Sequence, residues 1–455
     1  MTSELASQLE RAKQLAASFR PGEMVSLLRS IIYSQEEADS EAVCKTKEKA
    51  IYYLGKYFVQ LGEAHELAGL LRSLRGFLSV IPRAKTAKIV RHLIDLESEI
   101  PNNVGLVIEL CNEHIAWANE ENRVFLRQRL EFKLSQSYYK IKEYQLALDI
   151  ISKLIKEVKH LDDKPLLVET HLLESKIYHG LLNLTKARAS LTFARTSANA
   201  IYCSPSLQAN LDSLSGALHC EEKDYKTAYS YFFEAFENYD HCIKDRTSEP
   251  VNIRTSSNLS DFDLNNGKMS FQDKENMRLS TNCLKYMLLC KIMSNVKEDI
   301  HALINGKLAL RYAAPELSAM RDVTTAYLNS SLKDFNLAIN KHKAEIEEDC
   351  LLKRNLTNLY DTLLEQNLLR IIEPFSQVQL SYIASLIELQ EPLLEKKLSQ
   401  MILDKKLAGI LNQGSNCLII FDEPPPDTTF KSSLETISEM SKIVDILHNK
   451  ALSLC

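Results

Sequence analysis

Glycine and proline are scarce in this chain, and their scarcity favours long helices over a succession of turns. Each occurs only 12 times in 455 residues, and three of the prolines are consecutive at positions 424, 425 and 426. Hydrophobic residues make up 45% of the chain and charged residues 25%, which is typical of an ordinary globular protein. The length predicts roughly two to four domains.

Features that direct a protein into or onto a membrane are also missing. Residues 1–5 contain neither the basic nor the apolar segment of a secretory signal peptide. No apolar run approaches the roughly 18 residues that a membrane-spanning helix needs. The formal net charge of −5 argues against a polybasic membrane anchor and against a nucleic-acid coat protein. We therefore expect no membrane partner.

The ten cysteines include no Cys-x-x-Cys pair and are spread over the whole chain. This distribution is typical of reduced thiols, so it predicts a location in the cytoplasm and nucleus. It also argues against metal binding or catalysis by any cysteine.

No arrangement of residues predicts catalysis. Gly306 and Lys307 lack the rest of a phosphate-binding loop, and the 11 histidines contain no His-x-x-x-His spacing. His114 follows Glu113 without a second metal ligand nearby, and we interpret it as a solvent-facing helix residue. We predict no catalytic residue, no metal, no cofactor and no small-molecule substrate, so the chain is not expected to be an enzyme.

A recurring alanine indicates helical repeats. Ala147, Ala187 and Ala228 are 40 and 41 residues apart, and each follows an aromatic or leucine residue by three positions. A small residue at this point lets two paired helices approach closely. Similar amphipathic pairs are expected in residues 4–100. We predict an all-α solenoid of TPR-like helical hairpins over residues 1–222, a fold that offers long surfaces for binding proteins. A compact helical domain without regular stacking is the alternative.

Residues 376–425 predict a winged helix. Ser376 and Gln379 have the spacing of a capping box at a helix start, and Pro392 suits the first turn of a second helix. Two short apolar runs about Gly414, residues 407–411 and 417–421, predict a β-hairpin. The apolar residues at helical spacing are Val378, Leu380, Ile383, Leu386 and Ile387 in the first helix and Leu394, Leu398, Met401 and Ile402 in the second.

Charge argues against nucleic-acid binding by this winged helix. Residues 376–425 contain four lysines against six acidic residues, and the wing at residues 412–416 has no Lys or Arg. DNA binding draws most of its affinity from neutralised phosphates. We therefore predict docking to protein and no nucleic-acid partner. A winged-helix nucleic-acid-binding adaptor is the alternative from a different functional class.

The segment at residues 243–282 is rich in Ser, Asn, Asp and Lys. Few of its residues are suited to a core, so the composition predicts an extended, mobile inserted loop.

Several stretches of the sequence resemble the family of 26S proteasome non-ATPase regulatory subunit 11, PCI-domain subunits of the regulatory-particle lid. The resemblance covers nearly the whole chain and is most specific in residues 284–425. The stretches are residues 172–176, 195–203, 284–293, 306–312, 360–368, 397–406 and 418–424. The polar segment 243–282 departs from the family pattern.

The resemblance implies an amino-terminal solenoid at residues 1–222, a PCI domain of helical bundle and winged helix at 223–425, and a carboxy-terminal helix at 426–455. It implies a non-catalytic scaffold in ubiquitin-dependent protein degradation. The implied partners are other PCI and lid subunits, the ATPase ring and the core-particle α-ring. The corresponding PCI scaffold of the signalosome is the nearest alternative.

Two groups of apolar residues are predicted to form the protein interface. One is the outer strand of the hairpin, which we expect to pair edge to edge with another PCI subunit. The other is a heptad seam on the carboxy-terminal helix that partner helices would cover. These residues are Cys417, Leu418, Ile419, Ile420 and Phe421 in the strand, and Phe430, Ile437, Met440, Val444, Leu447, Ala451 and Leu454 in the helix.

Overall fold

The structure is a computed structural model, and it describes residues 8, 10–11, 21–33, 41–100, 103–248, 271–294, 300, 303, 315–329, 331–343, 346, 349–387, 390–421 and 428–454. Its chain forms two compact units, Met1–Thr324 and Thr325–Cys455. The sequence predicts three domains, at residues 1–222, 223–425 and 426–455. These domains were bounded by sequence pattern and not by compactness, so the division stays a prediction.

The first unit is built from helices. In chain order they are α1 (Pro21–Tyr33), α2 (Glu41–Leu61), α3 (Ala64–Ser73), α4 (Arg75–Val80), α5 (Arg83–Glu99), α6 (Val104–Glu120), α7 (Val124–Ile141), α8 (Tyr144–Leu161), α9 (Lys164–Gly180), α10 (Leu184–Asn199), α11 (Pro205–Glu221), α12 (Tyr225–Ser248) and α13 (Phe271–Met293). Helix α14 (Pro315–Leu328) crosses the boundary between the units. Among the described residues, no helix combines the length and apolar character needed to cross a membrane.

Helices α6 to α12 are consecutive hairpins joined by short turns, which confirms the helical solenoid. The turns place a residue other than glycine in the left-handed region, with φ of 70° at Lys142, 63° at Leu182 and 66° at Lys223. The repeat alanines are fully buried where α8, α10 and α12 pack. Small residues at these points allow close approach of neighbouring helices because a larger side chain would hold the backbones apart.

Two glycines lie at close contacts between helices. A Cβ on Gly180 would lie 2.9 Å from the Tyr144 ring, and one on Gly216 would lie 2.9 Å from the Phe232 ring. The aromatic rings therefore occupy the space that the missing side chains leave between α8 and α9 and between α11 and α12.

The predicted loop at residues 243–282 is partly wrong. Residues 243–248 complete α12 and residues 271–282 begin α13, while residues 249–270 lie outside the described part of the chain. Asn276, Ser280 and Thr281 are buried despite their polarity. Thr281 donates a hydrogen bond to the carbonyl oxygen of Met277, so a helix interior can satisfy a hydroxyl that composition alone assigns to a loop.

The second unit contains a three-stranded antiparallel sheet among helices. Its elements are α15 (Leu332–Lys341), α16 (Cys350–Ile372), β1 (Gln377–Gln379), α17 (Leu380–Ile387), α18 (Glu391–Leu403), β2 (Gly409–Asn412), β3 (Cys417–Ile420) and α19 (Thr428–Leu454). The strand order is β1-β3-β2. The two helices followed by a hairpin confirm the predicted winged helix.

The start of the first winged-helix helix was wrongly predicted. Gln379 belongs to a strand, and α17 begins only at Leu380. Strand β1 pairs with β3 so that Gln377 lies opposite Ile419 and Gln379 opposite Cys417. Strand pairing replaces the capping box: Ile420 donates to the carbonyl oxygen of Ser376, and Leu380 donates to that of Asn416, both at 2.9 Å.

The core of the winged helix follows most of the predicted apolar spacing, but Leu386 is 46% exposed and lies outside this core. Leu394, Leu398 and Met401 of α18 are fully buried and form one cluster with Leu368 of α16 and Leu418 of β3. Helix α16 is thus part of the same packed body as the winged helix.

Candidate protein-docking site

Strand β3 is the centre of the sheet, so the predicted edge-to-edge pairing through this strand is wrong. Strand β1 covers one side of β3 and β2 covers the other. Cys417 and Leu418 are buried in the chain's own core, whereas Phe421 is exposed. A contact of residues 417–421 with a partner by another geometry stays a prediction.

The hydrogen bonds at the ends of the sheet show toward which neighbouring strand each backbone amide of β3 points. Ile420 donates to the carbonyl oxygen of Ser376 at 2.9 Å, and Phe421 donates to that of Ala408 at 2.9 Å. Because antiparallel residues alternate in the direction of their backbone groups, the amide of Ile419 points at β2. Proline at Ile419 would therefore break the sheet itself rather than an intermolecular bond.

Strand β2 has a sheet partner on one side only within the described residues. The same alternation directs the backbone groups of Ile410 toward β3 and those of Gly409 and Leu411 away from it. The Ile410 side chain is 55% exposed, while Leu411 packs against the winged-helix core. The strand thus offers outward backbone groups and an apolar side chain, which suits addition of a strand from a partner.

The sheet requires glycine at the start of this edge. A Cβ on Gly409 would lie 2.6 Å from the carbonyl oxygen of Ile419. At the opposite end, Gln413 donates to Glu395 of α18 at 2.7 Å, and the amide of Gly414 donates to Asn412 at 3.1 Å. Both ends of β2 are held in place by the chain itself.

Two of the four winged-helix lysines are neutralised internally. Lys406 donates to Oε2 of Glu365 at 2.6 Å, and Lys397 lies 3.1 Å from Oε1 of the same residue. Burial alone would raise the pKa of Glu365, but hydrogen bonds from Lys406 and Lys397 outweigh burial, so its net pKa lies below the usual range. Lys397 is also 3.5 Å from Asp361. These lysines are ion-paired with α16, which lowers the positive charge that the winged helix presents to a phosphate backbone.

Helix α19 presents an uncovered apolar surface. Every side chain described between residues 429 and 452 is exposed. The large apolar side chains on it are between 52% and 67% exposed: Phe430, Leu434, Ile437, Met440, Ile443, Val444, Ile446, Leu447 and Leu452. Ala451 is exposed too, and the side chain of Leu454 lies outside the described set.

The apolar surface of α19 is wider than the predicted seam. At about 100° per residue, it extends from Ile446 on one side to Leu434 and Leu452 on the other, an arc of about 240°. A seam for one partner helix needs only positions a and d, and a core-facing stripe exceeds about 100°. An arc of this width suits contact with more than one helix.

Several residues outside the interface prediction belong to this site. The predicted strand and heptad seam did not include five exposed apolar side chains, which are Ile410, Leu434, Ile443, Ile446 and Leu452. A stricter count of apolar positions in α19 would have found the last four, because they widen the same face.

The described residues offer no candidate metal centre. No group of three or more His, Cys, Asp or Glu side chains there could hold a metal ion. A cleft of about 170 Å³ lies between α10 and α11 and is lined by Arg188 and Arg195. Each arginine is already paired, the first with Glu222 and the second with Asp212, so the cleft has no unbalanced positive charge.

The prediction that His114 faces solvent is wrong. Its side chain is fully buried, and Nδ1 lies 2.9 Å from the carbonyl oxygen of Leu110. Burial lowers the pKa of His114, which favours the neutral ring. The residue is part of the packing of α6 and not a metal ligand.

Together, the helical hairpins of the first unit, the winged helix of the second unit and the uncovered carboxy-terminal helix define a PCI-domain scaffold protein. A PCI domain matches residues 339–422, and the amino-terminal domain of 26S proteasome regulatory subunit RPN6 matches residues 5–141. The chain belongs to the family of 26S proteasome non-ATPase regulatory subunit 11, also called RPN6.

Full-length relatives support this assignment. The chain is 45% identical over 434 residues to the Arabidopsis thaliana 26S proteasome non-ATPase regulatory subunit 11 homolog, with 95% of each chain covered. It is 46% identical over 405 residues to the Dictyostelium discoideum subunit 11, covering 89% of this chain and 90% of the relative. It is 39% identical over 454 residues to the Saccharomyces cerevisiae regulatory subunit RPN6, with 98% of each covered.

Proposed function

We propose that this protein is a non-catalytic structural subunit of the 26S proteasome lid that acts in ubiquitin-dependent protein degradation. The observation that carries the proposal is the uncovered apolar arc of α19. Burying one large apolar side chain is worth about 1.5–3 kcal/mol, so leaving nine of them in water along one helix is unfavourable. Partner helices that cover this arc would stabilise both the helix and the assembly.

The lid partners contact two surfaces of the second unit. Helices from other lid subunits cover α19, and a neighbouring PCI subunit adds a strand at β2. Further contacts with the ATPase ring and the core-particle α-ring are proposed from family membership, with the helical repeats of the first unit as the binding surface. We also propose that the protein is located in cytoplasm and nucleus, where the proteins of such an assembly would meet.

The two alternative functions have less support. Lys397 and Lys406 are both ion-paired with Glu365, which lowers the net positive charge available for nucleic-acid binding. The signalosome scaffold shares the same domain plan, but the similarity over nearly the full chain is to proteasome subunits. The lid is therefore the function that the site and the relatives support best.

The test is assembly of the full chain with the remaining lid subunits, followed by native mass spectrometry. A triple variant, Ile437→Asp, Val444→Asp and Leu447→Asp, places three charges in the apolar arc. We expect this variant to stay out of the complex while the free protein keeps its helical circular dichroism, because the arc is already exposed in the free chain.

A matched control carries three substitutions to Asp on the opposite face of α19, at Ser438, Lys442 and Asn449. It changes the net charge at least as much and should assemble normally. Normal assembly of the arc variant would remove the proposed role of α19. Loss of folding in the free arc variant would place this helix in the chain's own core instead.

A further inference from the structure

Three turns at one end of the stacked hairpins share a backbone conformation. They follow α7, α9 and α11, and their left-handed residues are Lys142, Leu182 and Lys223. In each turn this residue donates a hydrogen bond to the carbonyl oxygen three positions earlier, and the next residue donates to the one five positions earlier. This is the Schellman C-cap, in which glycine is usual because it has no Cβ to clash. Apart from glycine, Leu182 is the only apolar residue with positive φ in the described part of the chain.

The second of these turns lies between the other two. A Cβ on Gly180, just before the second turn, would lie 2.9 Å from the ring of Tyr144, which follows the first turn. Nε2 of His179 lies 3.0 Å from Oε1 of Glu221, which precedes the third turn. The three turns therefore form one continuous edge of the solenoid.

The first two turns expose large apolar side chains on this edge. Ile141, Leu181 and Leu182 are 44%, 43% and 59% exposed. Leu182 gains little from burial in its own fold, and its backbone conformation is unfavourable for leucine. Residues in such conformations are concentrated at functional sites, where the strain is offset by another contact. The combination points to a contact that the chain itself does not supply.

The same edge carries an excess of positive charge. Residues 140–143, 181–186 and 222–226 contain five lysines and three acidic residues. Glu222 is ion-paired with Arg188 at 2.9 Å, and Asp224 accepts a hydrogen bond from the amide of Thr227. The lysines, all of them exposed, are Lys140, Lys142, Lys186, Lys223 and Lys226. An apolar surface bordered by lysines is complementary to apolar side chains bordered by carboxylates.

We propose that Ile141, Leu181 and Leu182 form a docking site for an acidic amphipathic segment of a partner protein. Aliphatic side chains of that segment pack on these three residues, and its carboxylates pair with Lys142 and Lys223. The inference rests on the proposed function only in that the helical repeats bind protein partners, and it adds which edge they use and the chemistry that this edge recognises.

The probe is a fluorescein-labelled helical peptide with leucines on one face and glutamates beside them. It is titrated into the full-length chain and followed by fluorescence polarisation. Two comparison peptides carry lysines in place of the glutamates, or serines in place of the leucines. We expect the acidic leucine peptide to bind about tenfold tighter than either one, because the site supplies both apolar contact and complementary charge.

Leu182→Gly is the decisive variant, because it removes the exposed side chain and keeps a residue that suits the turn. We expect it to weaken binding of the acidic leucine peptide about tenfold while the chain stays folded. Asn122→Gly is the matched control. Asn122 has φ of 55° in the turn before α7, whereas Ile141 ends that helix, so this substitution changes a similar turn at the opposite end of the solenoid and should not alter binding.

Equal affinity of wild type and Leu182→Gly for the acidic leucine peptide would overturn the proposal. So would equal binding of the lysine peptide by the wild-type chain. A concentration-dependent dimer of the free chain that Leu182→Gly abolishes in analytical ultracentrifugation would also overturn it, since a second copy would then cover this edge. Peptide binding is measured on the free chain, so its failure is distinct from a failure of lid assembly through α19.

Discussion

Val378 of β1 lies directly opposite Leu418 of β3, and both side chains are buried in the winged-helix core. This pairing covers one side of β3, and β2 covers the other. Strands β1 and β2 are therefore the two edges of the sheet. Of these two, β2 is the one with an exposed large apolar side chain, Ile410. Any strand added by a partner has to align with residues 409–412.

Docking at this edge can be tested with Leu411, whose backbone groups point away from β3. Leu411→Pro removes one outward N–H group, and we expect it to lower incorporation into the lid at least tenfold in a native mass-spectrometry assay, because strand addition depends on main-chain hydrogen bonds. Leu411→Ala is the matched control, since it loses the same packing but keeps the N–H group. Equal assembly of the two variants would exclude strand addition at β2.

The close approach of Gly409 to Ile419 gives a second prediction. Gly409→Ala should lower the free energy of unfolding of the winged helix by about 1–3 kcal/mol, because its Cβ meets a backbone oxygen that cannot move aside. Urea denaturation followed by circular dichroism measures this loss. Gly414→Ala is the control, since the nearest atom to its Cβ would be 3.5 Å away, and its effect should be smaller. Similar effects of both substitutions would contradict the steric argument.

Helical spacing in the sequence was sufficient to predict the solenoid and the core of the winged helix. Leu394, Leu398 and Met401 are buried as predicted, because a long periodic helix carries many independent apolar positions. Strand β1 was missed because three residues show too little alternation to distinguish a strand from a helix start. Its partner is also about 40 positions away, beyond any local pattern.

Side-chain environments were less predictable than the elements. His114 was assigned to the surface because a single histidine in a helix carries no signal of its burial, which depends on how α6 packs against its neighbours. On α19 the periodicity was visible, but the width of its apolar arc became clear only when the exposure of each side chain was known.

The turn between α9 and α10 contains a locally unfavourable residue. Leu182 has φ of 63°, a region that leucine rarely adopts, and its side chain is 59% exposed. Leu182→Gly should therefore raise the free energy of unfolding by about 0.5–1 kcal/mol, since glycine adopts this conformation without a Cβ clash. Leu181→Gly, at a neighbouring exposed leucine with φ of −80°, should lower it instead. Thermal denaturation of both variants gives the comparison, and a loss of stability in both would show that Leu182 makes contacts that outweigh its backbone strain.

The last prediction concerns Glu97, which is 1% exposed, and whose carboxyl oxygens have no hydrogen-bond partner among the described residues. Burial raises its pKa from 4.5 to about 7. Between these two pH values the unfolded chain releases a proton that the folded chain keeps, so the free energy of unfolding falls as pH rises, and it levels off above about pH 7. Glu97→Gln removes this dependence and should be more stable than wild type by up to about 3 kcal/mol at pH 8, with a small difference at pH 5.

Glu113 provides a control of opposite sign. A hydrogen bond from Arg72 lowers the pKa of Glu113, so its contribution to stability is present at neutral pH and is lost as pH falls through that lowered pKa. Glu113→Gln should therefore be less stable than wild type at pH 8. Urea denaturation at pH 5 and pH 8 measures both variants. A Glu97→Gln variant whose stability relative to wild type is the same at the two pH values would mean that Glu97 is ionised in the folded chain, stabilised by a contact that outweighs its burial.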